Sequence, residues 1–289
     1  MAGKLLRAQG IAVTLRIWQV DAFASRPLEG NPAAIVPLQQ WLDSEIMQRI
    51  AAENNVAETA FFVKTGEGAY DLRWFAPSHE VDLCGHATLA SAWIVFNKLD
   101  TALDLVRFMT RSGELVVRRE TGGNVMSLPS ASSEPFTPPT GFGQALGKSL
   151  EAPAPIELHI SAKGGAGAKA LIAVFQTPDQ IRALKPGTEL KDVALQVGAG
   201  SVLATAAGGG NPYDMVSRFF APHFGVPEDP VTGSAHCALT PFWAKRLGKK
   251  TLRARQASER GGDLLCTDDV ARTILKGECA LYLHGEIEI

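Results

Sequence analysis

Glu58, Cys84, His86, Asp229 and Ser234 are the side chains of this 289-residue sequence whose types and settings could do chemistry. Glu58 follows Asn54-Asn55-Val56-Ala57 and opens an apolar run, Thr59-Ala60-Phe61-Phe62-Val63. It reads either as a strand-end carboxylate in water or as a proton carrier. Desolvation beside such neighbours raises a carboxyl pKa, which suits a group that both takes and gives a proton. Cys84-Gly85-His86 and Thr232-Gly233-Ser234 each precede a stretch with helical character, and Asp229 stands just before the second. A helix start presents N–H groups without intrahelical partners and a partial positive charge. Gly85 and Gly233 therefore mark two places suited to a carboxylate or to a developing enolate. The plainer readings are buried helix starts for the glycines, local hydrogen bonding for His86 and a turn before Pro230 for Asp229.

Several other chemistries are excluded. Cys84, Cys237, Cys266 and Cys279 lie far apart with no CxxC pair, so neither a zinc cage nor a dense disulfide framework is expected, and no metal. Gly233-Ser234-Ala235 is not the GxSxG of a nucleophile elbow. The Gly208–Asn211 run is a glycine-rich turn, neither a P-loop nor a dinucleotide fingerprint, and no cofactor is implied. With 28 basic and 30 acidic side chains, a broad electrostatic grip on nucleic acid or anionic lipid is not expected. No apolar run approaches the roughly 20 residues that span a bilayer. Residues 1–14 read as a ragged extension without a secretory signal, and a cytoplasmic location is expected.

The elements that position these groups follow from pattern. A composition 46% hydrophobic, with 28 glycines and 17 prolines, supplies a core and many turns between short strands. Strands are expected at 15–23, 33–38, 58–64 and 69–75, and a helix at 43–53 with Asp43 as cap and Leu42 and Met47 at the staple positions. Ala87–Asn97 is a helix candidate without a polar stripe, so it must be buried on every side. Strands are expected again at 156–161, 170–175, 201–206 and 214–220, with a helix at 178–184 capped by Thr177. Pro129–Thr140 reads as a linker.

The two sides of that linker repeat one another. Arg73-Trp74-Phe75-Ala76-Pro77, then Cys84-Gly85-His86-Ala87 and Trp93, matches Arg218-Phe219-Phe220-Ala221-Pro222, then Thr232-Gly233-Ser234-Ala235 and Trp243. The shared order implies duplication of a half-domain and a pseudo-two-fold molecule. Arg73 and Arg218, present in both copies, are expected to brace strand ends.

At these residues the chain resembles the PhzF family, the phenazine-biosynthesis-like isomerases that share the diaminopimelate epimerase fold. The carriers are Val20-Asp21-Ala22-Phe23 with Gly30-Asn31-Pro32, Asn55 to Phe61, Arg73 to Pro77 and Asp82 to Thr88. In the second half they are Tyr213-Asp214, Ser217 to Pro222, Glu228 to His236 and Gln256 to Gly262. The resemblance implies an α+β protein of two pseudo-symmetric domains, each a curved sheet or barrel around one buried helix, with the active site between them. The first is expected at 15–128, with a C-terminal strand at 279–289 returning to it, the second at 141–278, and the linker at 129–140. It also implies cofactor-free proton transfer on a small carboxylate-bearing substrate, in a homodimer. Glu58 would be the acid/base, with Gly85, His86, Asp229, Gly233 and Ser234 holding the substrate. Epimerases of this fold carry a cysteine at each helix start; here Cys84 fills the first and Thr232 the second, which speaks against a two-thiol racemase. A racemase using Cys84, and a binding protein that keeps the cleft, are the alternatives.

Overall fold

Two stretches of chain each wind a sheet around one buried helix. The computed structural model describes residues 13–162, 169–210 and 212–289. The first unit runs to Met126 and adds Gly277–Ile289; the second is Ser127–Lys276. Most of the expected N-terminal extension, and Asn211 of the glycine-rich turn, lie outside the described residues.

In chain order the first unit holds β1 (Thr14–Ala22), β2 (Asn31–Leu38), α1 (Ser44–Asn54), β3 (Glu58–Gly66), β4 (Ala69–Phe75) and β5 (Glu80–Val81). It continues with α2 (Gly85–Ile94), β6 (Leu105–Thr110), β7 (Gly113–Glu120) and β8 (Gly123–Pro129), within which the chain passes into the second unit. That unit holds β9 (Ser133–Pro135), α3 (Phe142–Ser149), β10 (Glu157–Ser161), β11 (Ala170–Val174), α4 (Pro178–Ala183) and α5 (Leu190–Leu195). There follow β12 (Ser201–Ala207), β13 (Met215–Ala221), β14 (Val226–Asp229), α6 (Gly233–Leu247), β15 (Thr251–Gln256), β16 (Gly262–Asp269) and β17 (Arg272–Gly277). The last strand, β18 (Cys279–Glu288), pairs antiparallel along β1 in the first unit.

The duplication extends to the order and sense of strand pairings along each copy. β1–β2 is antiparallel, β2–β3 parallel, β3–β4 antiparallel, β4–β6 parallel, and β6–β7 and β7–β8 antiparallel. The second unit runs β10–β11 antiparallel, β11–β12 parallel, β12–β13 antiparallel, β13–β15 parallel, and β15–β16 and β16–β17 antiparallel. Short β5 lies antiparallel on β4, as β14 does on β13. The fold is α+β, with one pseudo-symmetric copy in each unit.

α2 is wrapped as its composition requires. It packs on β1, β2, β3, β7 and β18, and its residues from His86 to Ala92 are buried. It begins at Gly85, before the expected start, and its tail Val95–Leu99 continues as a single π turn that buries Phe96. α6 buries the corresponding run from Ala235 to Thr240. It contains Pro241, which has no N–H to give the carbonyl of Cys237; the Ala131 N–H takes that carbonyl at 3.0 Å. Outside the first sheet, Met47, Ile50 and Ala51 of α1 pack on Ile17, Val36, Phe61 and Phe75, with Leu42 against the same cluster.

Two local expectations need correction. Asp43 occupies the N-cap of α1, but its backbone carbonyl rather than its side chain meets the helix N–H groups of Ile46 and Met47. The proline-rich stretch read as a linker carries β9, whose Ser133–Pro135 pair with His159 to Ser161 of β10. A proline can occupy such an edge strand because its missing N–H is not needed on the open side.

The repeated arginines do brace the strands. Arg73 on β4 forks onto Glu80 through Nε (2.7 Å) and Nη2 (2.8 Å), and lies over Phe75. Arg218 on β13 forks onto Glu228 through Nε (2.6 Å) and Nη2 (2.7 Å), and lies over Phe220. The Arg218 side chain is 9% exposed, so removing it strands a half-buried carboxylate. Arg218→Met should lower the unfolding free energy by about 3 kcal/mol in urea titrations. Arg26→Met, at an exposed ion pair, should leave it nearly unchanged. Equal small effects would refute the bracing role.

Candidate active site

Gly30 shapes the first edge of the site. Its φ is 66° and a Cβ there would lie 2.2 Å from the Ala22 carbonyl oxygen, so glycine is required where the chain turns from β1 into β2. Asp21, 1% exposed, accepts the Leu28 N–H at 2.8 Å and holds the same loop. The turn delivers Asn31 to the first position of β2, and the parallel neighbour β3 opens on Glu58 at the same end.

α2 starts beside these strand ends. Cys84 is its N-cap in extended conformation, without a capping side-chain bond. The ladder opens with Thr88 N–H to Cys84 C=O at 3.3 Å, which leaves the amides of Gly85, His86 and Ala87 outside it. His86 is 5% exposed and Cys84 6%. The imidazole has Nδ1 at 3.3 Å from Asn31 Nδ2 and 3.5 Å from Cys84 Sγ, and Nε2 at 3.2 Å from Glu58 Oε2. Nε2 and the carboxylate oxygen are in contact without being aligned as a hydrogen bond. Burial pushes the His86 pKa down to about 3, against the weaker opposing pull of the Pro32 carbonyl. The ring is therefore neutral near pH 7. With Asn31 Nδ2 donating to Nδ1, Nε2 carries the hydrogen and faces Glu58. The carboxylate itself keeps a 20% exposed side chain, open to a ligand.

The second unit builds a counterpart from different side chains. Thr232 caps α6 in the same extended conformation, and its hydroxyl donates to Asp229 Oδ2. The ladder opens with His236 N–H to Thr232 C=O at 3.4 Å, so the amides of Gly233, Ser234 and Ala235 stand outside it. Buried Gln256 ties the loop together: Nε2 donates to the Asp229 carbonyl (2.7 Å) and Oε1 accepts from Thr232 N–H (2.9 Å). His236 Nδ1 lies 2.8 Å from the Thr232 carbonyl, and burial lowers its pKa to about 4. Where β3 opens on Glu58, the equivalent β12 opens on Ser201, each the first residue of its parallel pairing. The carboxylate is present in one copy only.

Glu58, Cys84 and His86, singled out from sequence, thus meet in the first unit, joined by Gly85. Asp229, Gly233 and Ser234 gather at the helix start of the second. Sequence reasoning missed Asn31 and Gln256 as site-shaping residues, although both lie in stretches that carried the family resemblance. It also gave Cys84-Gly85-His86 no metal-site spacing. In space, one ligand atom from each of Glu58, Cys84 and His86 lies within 4.8 Å of the others. The remaining thiols are set apart: burial pushes Cys237 and Cys266 up to about 12, and raises Cys279 as well. A cavity of about 620 Å³ around Phe136, Gln144 and Arg246 holds none of these groups. Among the described residues no helix is long and apolar enough to cross a membrane.

The model of the phenazine biosynthesis-like proteins, PhzC-PhzF, matches residues 20–285. An uncharacterized isomerase of Pseudomonas aeruginosa is 45% identical over 276 residues, covering 95% of this chain and 99% of that protein. The crystal structure of a PhzF-family phenazine biosynthesis protein from Enterococcus faecalis superposes with a TM-score of 0.85 at 36% identity, over 96% of this chain and 100% of that one. A hydroxyproline epimerase from Agrobacterium vitis, at 9% identity and a TM-score of 0.60 over 96% of this chain and 93% of that one, shares the fold.

The two buried histidines tie stability to pH. Their folded pKa values, about 3 and about 4, lie below the 6.5 of an exposed ring, so below pH 6.5 the unfolded chain binds the extra protons. Their contribution is complete above that pH and declines as pH falls through this window, by at most about 1.4 kcal/mol per pH unit for each ring. Urea unfolding at pH 7 and pH 5 should show a smaller loss in His236→Asn than in the parent protein. Identical losses would contradict the neutral buried state.

Proposed function

The chain belongs to the PhzC-PhzF family of phenazine biosynthesis-like proteins, and from that premise we propose a cofactor-independent isomerase that moves a proton between carbons of a small amino- or hydroxy-carboxylate. The observation that carries this reading is the 3.2 Å contact of Glu58 Oε2 with Nε2 of a buried, neutral His86 at a helix start. Glu58 removes the substrate proton and returns it. A ring that burial keeps neutral is a poor acceptor for that proton. Its N–H and the positive end of α2 stabilise the carboxylate, and the Gly85 amide is placed to hold the carboxylate of the substrate. Asp229, Gly233 and Ser234 contribute to substrate binding, with Asp229 orienting the amino or hydroxyl group. Ser201 at the start of β12 supports a single-base reaction, because a second carboxylate is lacking at the equivalent place. A homodimer in the cytoplasm belongs to the same proposal.

A thiol route is favoured by one observation, the 3.5 Å approach of Cys84 Sγ to His86 Nδ1. It makes the protein a racemase or epimerase with Cys84 as one of the two proton-bearing groups. The two routes separate on one experiment. The protein is incubated in heavy water with a panel of dihydro-anthranilate-like and amino-acid substrates, and deuterium is followed by mass spectrometry. The single-base reading expects incorporation into one substrate class, with Cys84→Ala retaining it to within about tenfold. A loss of 10²-fold or more in Cys84→Ala, the usual scale for removing an acid–base group, would transfer the role to the thiol.

A further inference from the structure

We infer that Glu58, Cys84 and His86 form a binding site for a thiophilic divalent cation, zinc being the best match, whose occupancy shuts the acid–base site. The three groups are a carboxylate, a thiol and an imidazole, the donor types zinc takes. Their ligand atoms already lie within 4.8 Å of one another. A tetrahedral zinc with bonds of about 2.0–2.3 Å holds neighbouring donors roughly 3.2–3.8 Å apart. The Nε2–Oε2 separation of 3.2 Å meets that requirement, and the Cys84 thiol, within 4.8 Å of the other two donors, closes the rest by side-chain rotation.

A second observation points the same way. The His86 side chain is 7% exposed, and its Nε2 is a buried nitrogen without an aligned hydrogen bond, directed at the Glu58 carboxylate. Ligation through Nε2 moves the ring hydrogen to Nδ1, where the Asn31 amide, 3.3 Å away, would turn its oxygen to accept it and fix the ring. Three protein ligands leave a fourth position for water or for the carboxylate of a substrate, the arrangement of an open rather than a closed zinc site.

Binding follows from the donor set alone. The inhibition it brings rests on the proton-carrying role proposed for Glu58, because a metal-bound carboxylate cannot accept the substrate proton. The site would make the enzyme sensitive to free zinc without making zinc part of its reaction.

The test uses the full chain, treated with chelator and titrated with Co²⁺ alone and then with Zn²⁺ alone. One equivalent of cobalt should bind with a thiolate-to-cobalt charge-transfer absorption, and zinc should displace it. Cys84→Ser, checked by circular dichroism to be folded, should lose that absorption and bind zinc at least tenfold more weakly, a lower bound set by the effect of outer-shell contacts. The wild-type fold provides a second readout: one equivalent of zinc should abolish proton exchange, and chelator should restore it. No bound equivalent at micromolar cobalt, or a charge-transfer band that persists in Cys84→Ser, overturns the site. Absorbance does not depend on turnover. A wild type that binds cobalt through Cys84 yet turns over no substrate would contradict the role of Glu58 and leave the metal site standing.

Discussion

A helix that is apolar on every face cannot rest on a sheet; it has to be enclosed, and the enclosure organises everything else in each unit. Around α2 the strands β18, β1, β2, β3 and β7 supply that wall. Once the body of such a helix is sealed, its N-terminus is where backbone polarity must find partners. The amides of Gly85, His86 and Ala87 lie outside the helical ladder. Asn31 and Glu58, at the first positions of two parallel strands, stand at the same end. The site is thus a consequence of burying the helix, and the residues there are those whose polarity the helix start can use.

Duplication gives this arrangement twice with different chemistry. Extended N-caps, forked arginine braces and an identical order of strand pairings recur. The reactive groups do not: Cys84 is matched by Thr232, His86 by Ser234, and Glu58 by Ser201. One copy carries a carboxylate against a neutral imidazole, and the other a threonine hydroxyl donated to Asp229 with Gln256 locking the loop.

Much of this was legible in the sequence because it is written locally. The repeated Arg-x-Phe-Ala-Pro strand ends exposed the duplication, the lack of a polar stripe in Ala87–Asn97 exposed the buried helix, and Thr177-Pro178 marked a helix start that carries a full capping box. What escaped was written in contacts between distant positions. Asn31 meets His86, and Gln256 meets Asp229 and Thr232, through folds of chain that no spacing rule reports. The strand Ser133–Pro135 was hidden by its prolines, whose cost vanishes only at an edge. The short α3 and α5 lack the length over which a helical period declares itself.

The proposed reaction turns on Glu58 as the single proton carrier, and one measurement addresses it directly: exchange of substrate protons with heavy water by Glu58→Gln, alongside the substrate affinity of the same variant. Glutamine keeps the shape of the side chain but cannot take a proton. Exchange should fall by 10² to 10⁴ while the dissociation constant of the substrate stays within about tenfold. Exchange that continues at the parent rate would contradict the assignment and, with it, the reading of the buried imidazole as the partner of a catalytic carboxylate.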